Sequence, residues 1–149
     1  GEVTVTLTEL KAGLVELLKT KYPKCKYYST AVMENYSRPC FFTQLKAVDT
    51  GVENYNARKN RMIFYITYMP ERTDEAETLH MIGELRDLFG LYVKIAGRVV
   101  YVENFDWNYI GTDRNIPEMS VELYWLDRIE HNTDEPVIEQ VVTSKEMEE

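Results

Sequence analysis

The side chains that most often bind transition metals are few in this chain and far apart. They are Cys25, Cys40, His80 and His131, with no C-x-x-C or H-x-x-x-H pair among them. A protein zinc site gathers three or four such ligands, usually at short spacings. The sequence therefore predicts no metal site, two reduced thiols outside any disulfide framework, and a half-buried structural role for His80.

Patterns for nucleophilic or nucleotide chemistry are also missing from the sequence. None of the four serines lies in a G-x-S-x-G elbow, and there is no Walker A or G-x-G-x-x-G motif. Cys40, which follows Pro39, is interpreted as a small buried residue at the start of a strand. The acids Asp74, Glu75 and Glu77 suit the positive first turn of a helix. We therefore expect no catalytic residue and no cofactor.

The formal charge of −8 is concentrated at the C-terminal end. Residues 130–149 contain seven acids and one lysine, a net of −6, which leaves −2 for the other 129 residues. Such a balance opposes tight binding to a phosphate backbone. The N-terminal residues do not resemble a signal peptide, and no apolar run is long enough to span a membrane, so we expect a cytosolic protein.

Two segments have helical spacing together with end signals. Thr6 and Glu9 form a capping box at the start of the first helix. Its apolar stripe is Leu7, Leu10, Leu14, Leu17 and Leu18. The second helix has the acids of residues 74–77 at its first turn and ends at Gly90. Its predicted stripe is Leu79, Ile82, Leu85, Leu88 and Phe89.

The remaining apolar segments alternate as strands do. The predicted strands are residues 24–29, 40–48, 58–69, 91–95, 98–109 and 120–129, with a polar loop over 49–57 and a tight turn at Ala96-Gly97. Two helices cannot cover both faces of such a sheet. We predict a two-layer α+β fold in which a mixed or antiparallel sheet of five to six strands carries both helices on one face. This single domain covers residues 1–130, and residues 131–149 form an acidic tail that is flexible or docks as a short arm through its paired valines and isoleucine.

A basic cluster enters the third predicted strand directly after the polar loop. Arg58, Lys59 and Arg61, together with Asn54 and Tyr55 in the loop, are the candidate contact residues for another subunit or partner. The alternative is an ordinary solvated hairpin. The eleven tyrosines and two tryptophans likewise suit either an aromatic core or a protein interface.

Three segments carry a resemblance to a known family. They are the helix opening at 7–11 (Leu-Thr-Glu-Leu-Lys), the strand start at 39–42 (Pro-Cys-Phe-Phe), and the close of the long strand at 68–70 (Tyr-Met-Pro). In this order they resemble the tail terminator, or tail completion, proteins of bacteriophages and phage-derived particles of Gram-positive bacteria. The resemblance covers residues 5–130.

This resemblance implies a structural protein that is not an enzyme. Such a subunit forms a ring, usually a hexamer, on the head-proximal end of the tail tube, stops tube growth and supports head-tail joining. The implied partners are other copies of the chain, the tail tube protein, and sheath and head-neck connector proteins, with no tight nucleic-acid binding and no membrane. The implied location is the host cytoplasm during assembly and then the tail of a virion or prophage-derived particle. Alternatives are a neck or head-completion protein, a stand-alone protein- or ligand-binding module, and an enzyme of unfamiliar type.

Overall fold

The computed structural model describes residues 5–29 and 35–131. The elements in chain order are α1 (Leu7–Lys21), β1 (Lys26–Ser29), β2 (Cys40–Asn54), β3 (Ala57–Met69), α2 (Glu75–Phe89), β4 (Tyr92–Ile95), β5 (Arg98–Ile110) and β6 (Ile116–Arg128). The predicted α+β class is confirmed. The predicted tail lies outside the described residues, except for His131.

The six strands form one mixed sheet in the order β1-β2-β3-β6-β5-β4. β1 runs parallel to β2, and every other neighbouring pair is antiparallel. The long strands β2, β3, β5 and β6 occupy the middle, and the four-residue strands β1 and β4 lie at the two ends. Among the described residues, β1 therefore covers only part of the outer side of β2, and β4 only part of the outer side of β5.

The main core lies between the helices and one face of the sheet, as predicted. α1 contributes Leu10, Leu14 and Leu18, which have no exposed surface. α2 contributes Met81, Ile82, Leu85 and Phe89. The sheet contributes alternate side chains of its central strands: Met62, Phe64 and Ile66 from β3, and Met119, Val121, Leu123 and Trp125 from β6. Because the side chains of a strand alternate between its two faces, the intervening residues of β3 and β6 point away from the helices.

Both helices begin as the sequence predicted. The Thr6 hydroxyl accepts a hydrogen bond from the Glu9 N–H, and the Glu9 carboxylate accepts one from the Thr6 N–H, each at 3.1 Å. At α2 the Asp74 carboxylate accepts from the N–H groups of Ala76 and Glu77. These contacts satisfy backbone donors that have no partner within a helix.

The first residue of each predicted apolar stripe does not belong to the core. Leu7 is 53% exposed and Leu79 is 46% exposed, so neither belongs to the core. Thr78 and Met81 take the positions on α2 that face the sheet. His80 is exposed, and its Nε2 lies 3.2 Å from Glu84 Oε2, one turn along the helix. The predicted half-buried role for His80 is wrong because α2 is rotated so that this position faces solvent.

The predicted polar loop over 49–57 is also wrong. β2 continues to Asn54, only Tyr55 and Asn56 form the turn, and β3 starts at Ala57. All β2 residues from 46 to 54 are exposed, so this half of the strand carries none of the apolar alternation that marks a half-buried strand. This half of β2 is held in extended form by its pairing with β3. β3 is in turn paired with β6 as far as Ala57, which lies opposite Arg128.

A smaller apolar cluster lies on the sheet face opposite the helices. Cys40, Phe42 and Met69 are its buried members. Tyr36 packs edge-on against Phe42, with ring centroids 5.2 Å apart. Ile116 also packs against this cluster. This end of the sheet face opposite the helices, called the open face below, is therefore covered by the protein's own side chains.

Candidate subunit interface

The candidate contact residues lie together on the hairpin formed by β2 and β3. This hairpin extends past the core, and Val52 near its tip is 69% exposed. Its turn is built from short-range contacts, since the Asn54 side chain accepts a hydrogen bond from the Asn56 N–H at 2.8 Å. Asn54 therefore has a local structural role in shaping the turn.

Tyr55 at the hairpin tip contacts the end of the described chain. Its ring stacks on the imidazole of His131, with centroids 3.9 Å apart and planes 8° apart. His131 Nε2 lies 2.9 Å from the Tyr55 carbonyl oxygen. The chain that leaves β6 is thus attached to the tip of the hairpin.

Lys59 belongs to a stacked group on the open face of the sheet. Its Nζ lies 4.3 Å from the centroid of the Tyr124 ring, within the range of a cation–π interaction. Tyr124 in turn stacks on Tyr101 of β5, with centroids 5.2 Å apart. The ammonium group of Lys59 is therefore partly satisfied within the subunit.

Arg61 is two residues further along the same face and lies between two carboxylates. Its Nη1 is 3.2 Å from Asp49 Oδ2, and its Nε is 3.9 Å from Glu103 Oε1. These ion pairs connect β2, β3 and β5 across the open face. All three side chains remain partly exposed, so each pair is worth at most about 1 kcal/mol.

The side chain of Arg58 points to the sheet face that carries the helices, whereas Lys59 and Arg61 lie on the open face. Asp127 of β6 is directly opposite Arg58 in the strand register. The Asp127 carboxylate, however, accepts from Asn60 Nδ2 at 2.9 Å and from Arg98 Nη1 at 3.5 Å. Within residues 5–29 and 35–131, the side chain of Arg58 has no hydrogen-bond or ion-pair partner. It is the member of the predicted cluster that presents an unengaged charge at the surface.

The described residues offer little for catalysis or metal binding. Among them no three His, Cys, Asp or Glu side chains are placed to hold a metal ion. Burial raises the pKa of the Cys25 thiol and is the largest influence raising that of Cys40, which keeps both thiols in the less reactive protonated form. No helix in the described part of the chain is long and apolar enough to cross a membrane.

The sequence model of the phage tail terminator protein family matches residues 9–135, which is most of the chain. The chain belongs to the phage tail terminator family. As a member of this structural family, it is a tail assembly protein, and its place is in the tail of the virion. The match covers α2, all six strands and all of α1 except its first two residues, so the hairpin with its candidate contact residues lies inside the family domain.

More distant comparisons add little to this family assignment. No curated protein sequence matches the chain significantly. One solved structure is similar over 87% of this chain and 99% of its own, at 12% identity and a TM-score of 0.49. A similarity this distant does not indicate how the tail terminator works.

The structure adds residues that sequence reasoning did not find. On the open face Asp49 and Glu103 pair with Arg61, and Tyr124, which stacks on Tyr101, lies against Lys59. They come from three different strands, and only the strand register brings them together. The sequence contained no local signal for these contacts, because a shift of one residue would have turned each side chain to the opposite face.

Proposed function

We propose that this tail terminator subunit forms a closed ring, a hexamer by family resemblance, at the head-proximal end of the tail tube. The ring ends tube growth and supports joining of the tail to the head. Its partners are its own copies, the tail tube protein, and sheath or head-neck connector proteins. Assembly takes place in the host cytoplasm, and no covalent bond is made or broken.

The observation that carries this proposal is the projecting hairpin with its uneven charge. A contact between two different surfaces of identical subunits closes into a ring when the rotation between subunits permits. The hairpin offers one such surface, with Val52 and Arg58 as cross-strand neighbours near its tip. An exposed apolar side chain beside an unengaged cation suits insertion against an apolar and acidic surface of a neighbour.

The charge of the subunit also suits a ring through which DNA passes. The acidic C-terminal end leaves the rest of the chain at a net charge of −2. Because nucleic-acid affinity rises with the number of phosphates neutralised, a nearly neutral body favours weak and transient contact with DNA. A ring built from such subunits would let DNA move through it.

The test is a native mass determination over a wide concentration range, with negative-stain imaging of the same sample, alone and with tail tubes. We expect closed rings of one size for the natural chain. Arg58→Glu should abolish assembly and leave the circular dichroism spectrum unchanged. Because the introduced carboxylate would face Asp127 within the subunit, Arg58→Gln serves as a second variant that removes the charge without adding repulsion.

Lys24→Glu is the matched control, since Lys24 is an exposed cation in the turn after α1, away from the hairpin. It should assemble like the natural chain. Assembly by both Arg58 variants would remove the hairpin from the ring contact. A natural chain that stays monomeric both alone and on tube ends would contradict the ring itself and favour a stand-alone binding module.

A further inference from the structure

Most of the large apolar side chains that the described residues expose fall into two groups. One group is on the β2–β3 hairpin and contains Val48, Val52 and Tyr55. The other surrounds β4 and the strands beside it, and contains Leu91, Tyr92, Tyr101 and Leu126. In this second group, called the aromatic patch below, Leu91 is 82% exposed and Tyr92 is 52% exposed. Exposed apolar groups of this kind mark contact surfaces between proteins.

The strand register joins the tyrosines of the aromatic patch into one row on the open face. Tyr92 of β4 lies opposite Tyr101 of β5, and Tyr101 lies opposite Tyr124 of β6. The rings of Tyr101 and Tyr124 are stacked, with centroids 5.2 Å apart. Leu126 is two residues after Tyr124 and therefore points to the same face. Because strand pairing and stacking fix these side chains in advance, a partner that binds them need not order them.

Glu103 supplies an acidic group beside the aromatic patch. It is two residues after Tyr101, and 42% of its side chain is exposed. Its Oε1 lies 3.9 Å from Nε of Arg61, whereas Nη1 of Arg61 lies 3.2 Å from Asp49 Oδ2. Arg61 therefore keeps its closer partner, Asp49, when Glu103 binds a second cation. A carboxylate has room for this, because its two oxygens together accept about four hydrogen bonds.

We propose that the hairpin of one subunit docks on the aromatic patch of a second copy of the chain, with Val52 against the tyrosines and Arg58 paired with Glu103. This inference rests on the proposed ring and names the second surface of its subunit contact. The hairpin presents an exposed aliphatic side chain beside a cation, and the patch presents exposed aromatic side chains beside an acid. The two surfaces are thus complementary in polarity and in charge.

The two surfaces lie on opposite faces and towards opposite ends of the same sheet. Val52 and Arg58 are a cross-strand pair on the face that carries the helices, whereas the row of tyrosines is on the open face. In the sheet order β6 and β5 separate β3 from β4, which is about 14 Å along the sheet at the usual strand spacing. A subunit therefore cannot place its own hairpin on its own patch. Contacts between copies run head to tail, as a closed ring requires.

Two charge-reversed variants, studied apart and then mixed, test this contact. Glu103→Arg, like Arg58→Glu, should abolish ring formation at the concentrations where the natural chain assembles, because like charges then meet at every contact. In an equimolar mixture the reversed hairpin of one variant meets the reversed patch of the other, and the two natural surfaces also meet. Rings should therefore return in the mixture. With one variant isotopically labelled, native mass determination should find both variants in equal numbers in each ring.

Glu103→Gln removes the carboxylate without placing a cation beside Arg61. It should raise the concentration needed for rings by about tenfold or more, and its circular dichroism spectrum should match that of the natural chain. Leu91→Ser tests the apolar part of the contact and should weaken ring formation as well. Leu79→Ser is its matched control, since Leu79 is also an exposed leucine but lies on α2 outside the aromatic patch. It should assemble like the natural chain.

The outcomes distinguish this contact from the ring itself. A natural chain that forms no rings, alone or on tube ends, contradicts the ring and this contact together. Rings of the natural chain, combined with normal assembly of Glu103→Arg and Leu91→Ser, would overturn the contact and leave the ring standing. The same conclusion would follow if both charge-reversed variants were folded and their mixture remained unassembled.

Discussion

Gly13 of α1 packs directly against Ile95 of β4. A Cβ atom placed on Gly13 would lie 2.7 Å from Ile95 Cγ2 and 2.9 Å from Cδ1. β4 is the end strand furthest from β1, whereas Tyr27 of β1 donates to the carbonyl of Leu18 near the C-terminal end of α1. The same helix therefore contacts both ends of the sheet, which must curl around it. The small residue at position 13 permits this close approach.

Gly13→Ala should destabilise the protein even though alanine is the better helix former. Alanine in a helix interior gains about 1 kcal/mol over glycine. Here the added methyl group must displace the buried Ile95, and overpacking of this kind costs about 1–3 kcal/mol. We expect a net loss of about 1 kcal/mol in the free energy of unfolding, measured by urea denaturation.

Gly83→Ala is the matched control, because Gly83 is also inside a helix but its nearest neighbour would be Arg86 Nη2 at 4.0 Å. This variant should gain about 0.5–1 kcal/mol. Equal gains in both variants would mean that β4 moves away from α1 without cost.

The hydrogen bond between Tyr22 and Glu84 should make stability depend on pH. The Tyr22 hydroxyl donates to Glu84 Oε1 at 2.6 Å, and this bond is the main cause that lowers the pKa of Glu84 below its ordinary value of 4.5. A carboxyl whose pKa is lower in the folded state adds stability above its unfolded pKa and loses it as pH falls through the folded pKa. Tyr22→Phe should therefore cost about 1 kcal/mol at about pH 7 and clearly less at about pH 3.

Tyr27→Phe is the control for this pH dependence. The Tyr27 hydroxyl donates to the backbone carbonyls of Leu18 and Tyr22, at 2.8 and 2.7 Å, and neither acceptor titrates. Its cost should be the same at neutral and at acid pH in urea denaturation. A cost for Tyr22→Phe that is equally constant would mean that Glu84 gains nothing from this bond.

The turn between β4 and β5 stores backbone strain at Ala96. Ala96 has φ of 52° and Gly97 has φ of 79°, so both lie in the left-handed region. An L-residue pays about 1–2 kcal/mol there, and glycine pays little. Ala96→Gly should therefore raise the melting temperature slightly. Gly97→Ala should lower it, and because a Cβ at Gly97 has no atom within 4 Å, the loss would come from the backbone alone. Shifts of the same sign in both variants would contradict this account.

The sequence predicted this turn and the helix starts well because their signals are local. The Thr6 capping box and the Ala96-Gly97 turn each depend on a few neighbouring residues. The hairpin was predicted poorly because pairing with β3 keeps Asp49 to Asn54 extended, and the polar side chains of this segment give no sign of that pairing. For the same reason the basic residues were grouped as one cluster, although the strand places Arg58 and Arg61 on opposite faces.

Arg58 and Arg61 should therefore respond differently to the same substitution. Arg61→Gln removes both ion pairs that connect Asp49 and Glu103 to β3, and should lower the free energy of unfolding by about 0.5–1 kcal/mol. Arg58→Gln should leave it within about 0.5 kcal/mol, since no described residue pairs with that guanidinium. Assembly should be impaired more in Arg58→Gln than in Arg61→Gln, because of these two arginines only Arg58 presents a charge that no described residue of the subunit pairs with. Urea denaturation measures the first quantity and native mass determination the second, and a stability loss in Arg58→Gln equal to that in Arg61→Gln would show that the charge is used within the subunit.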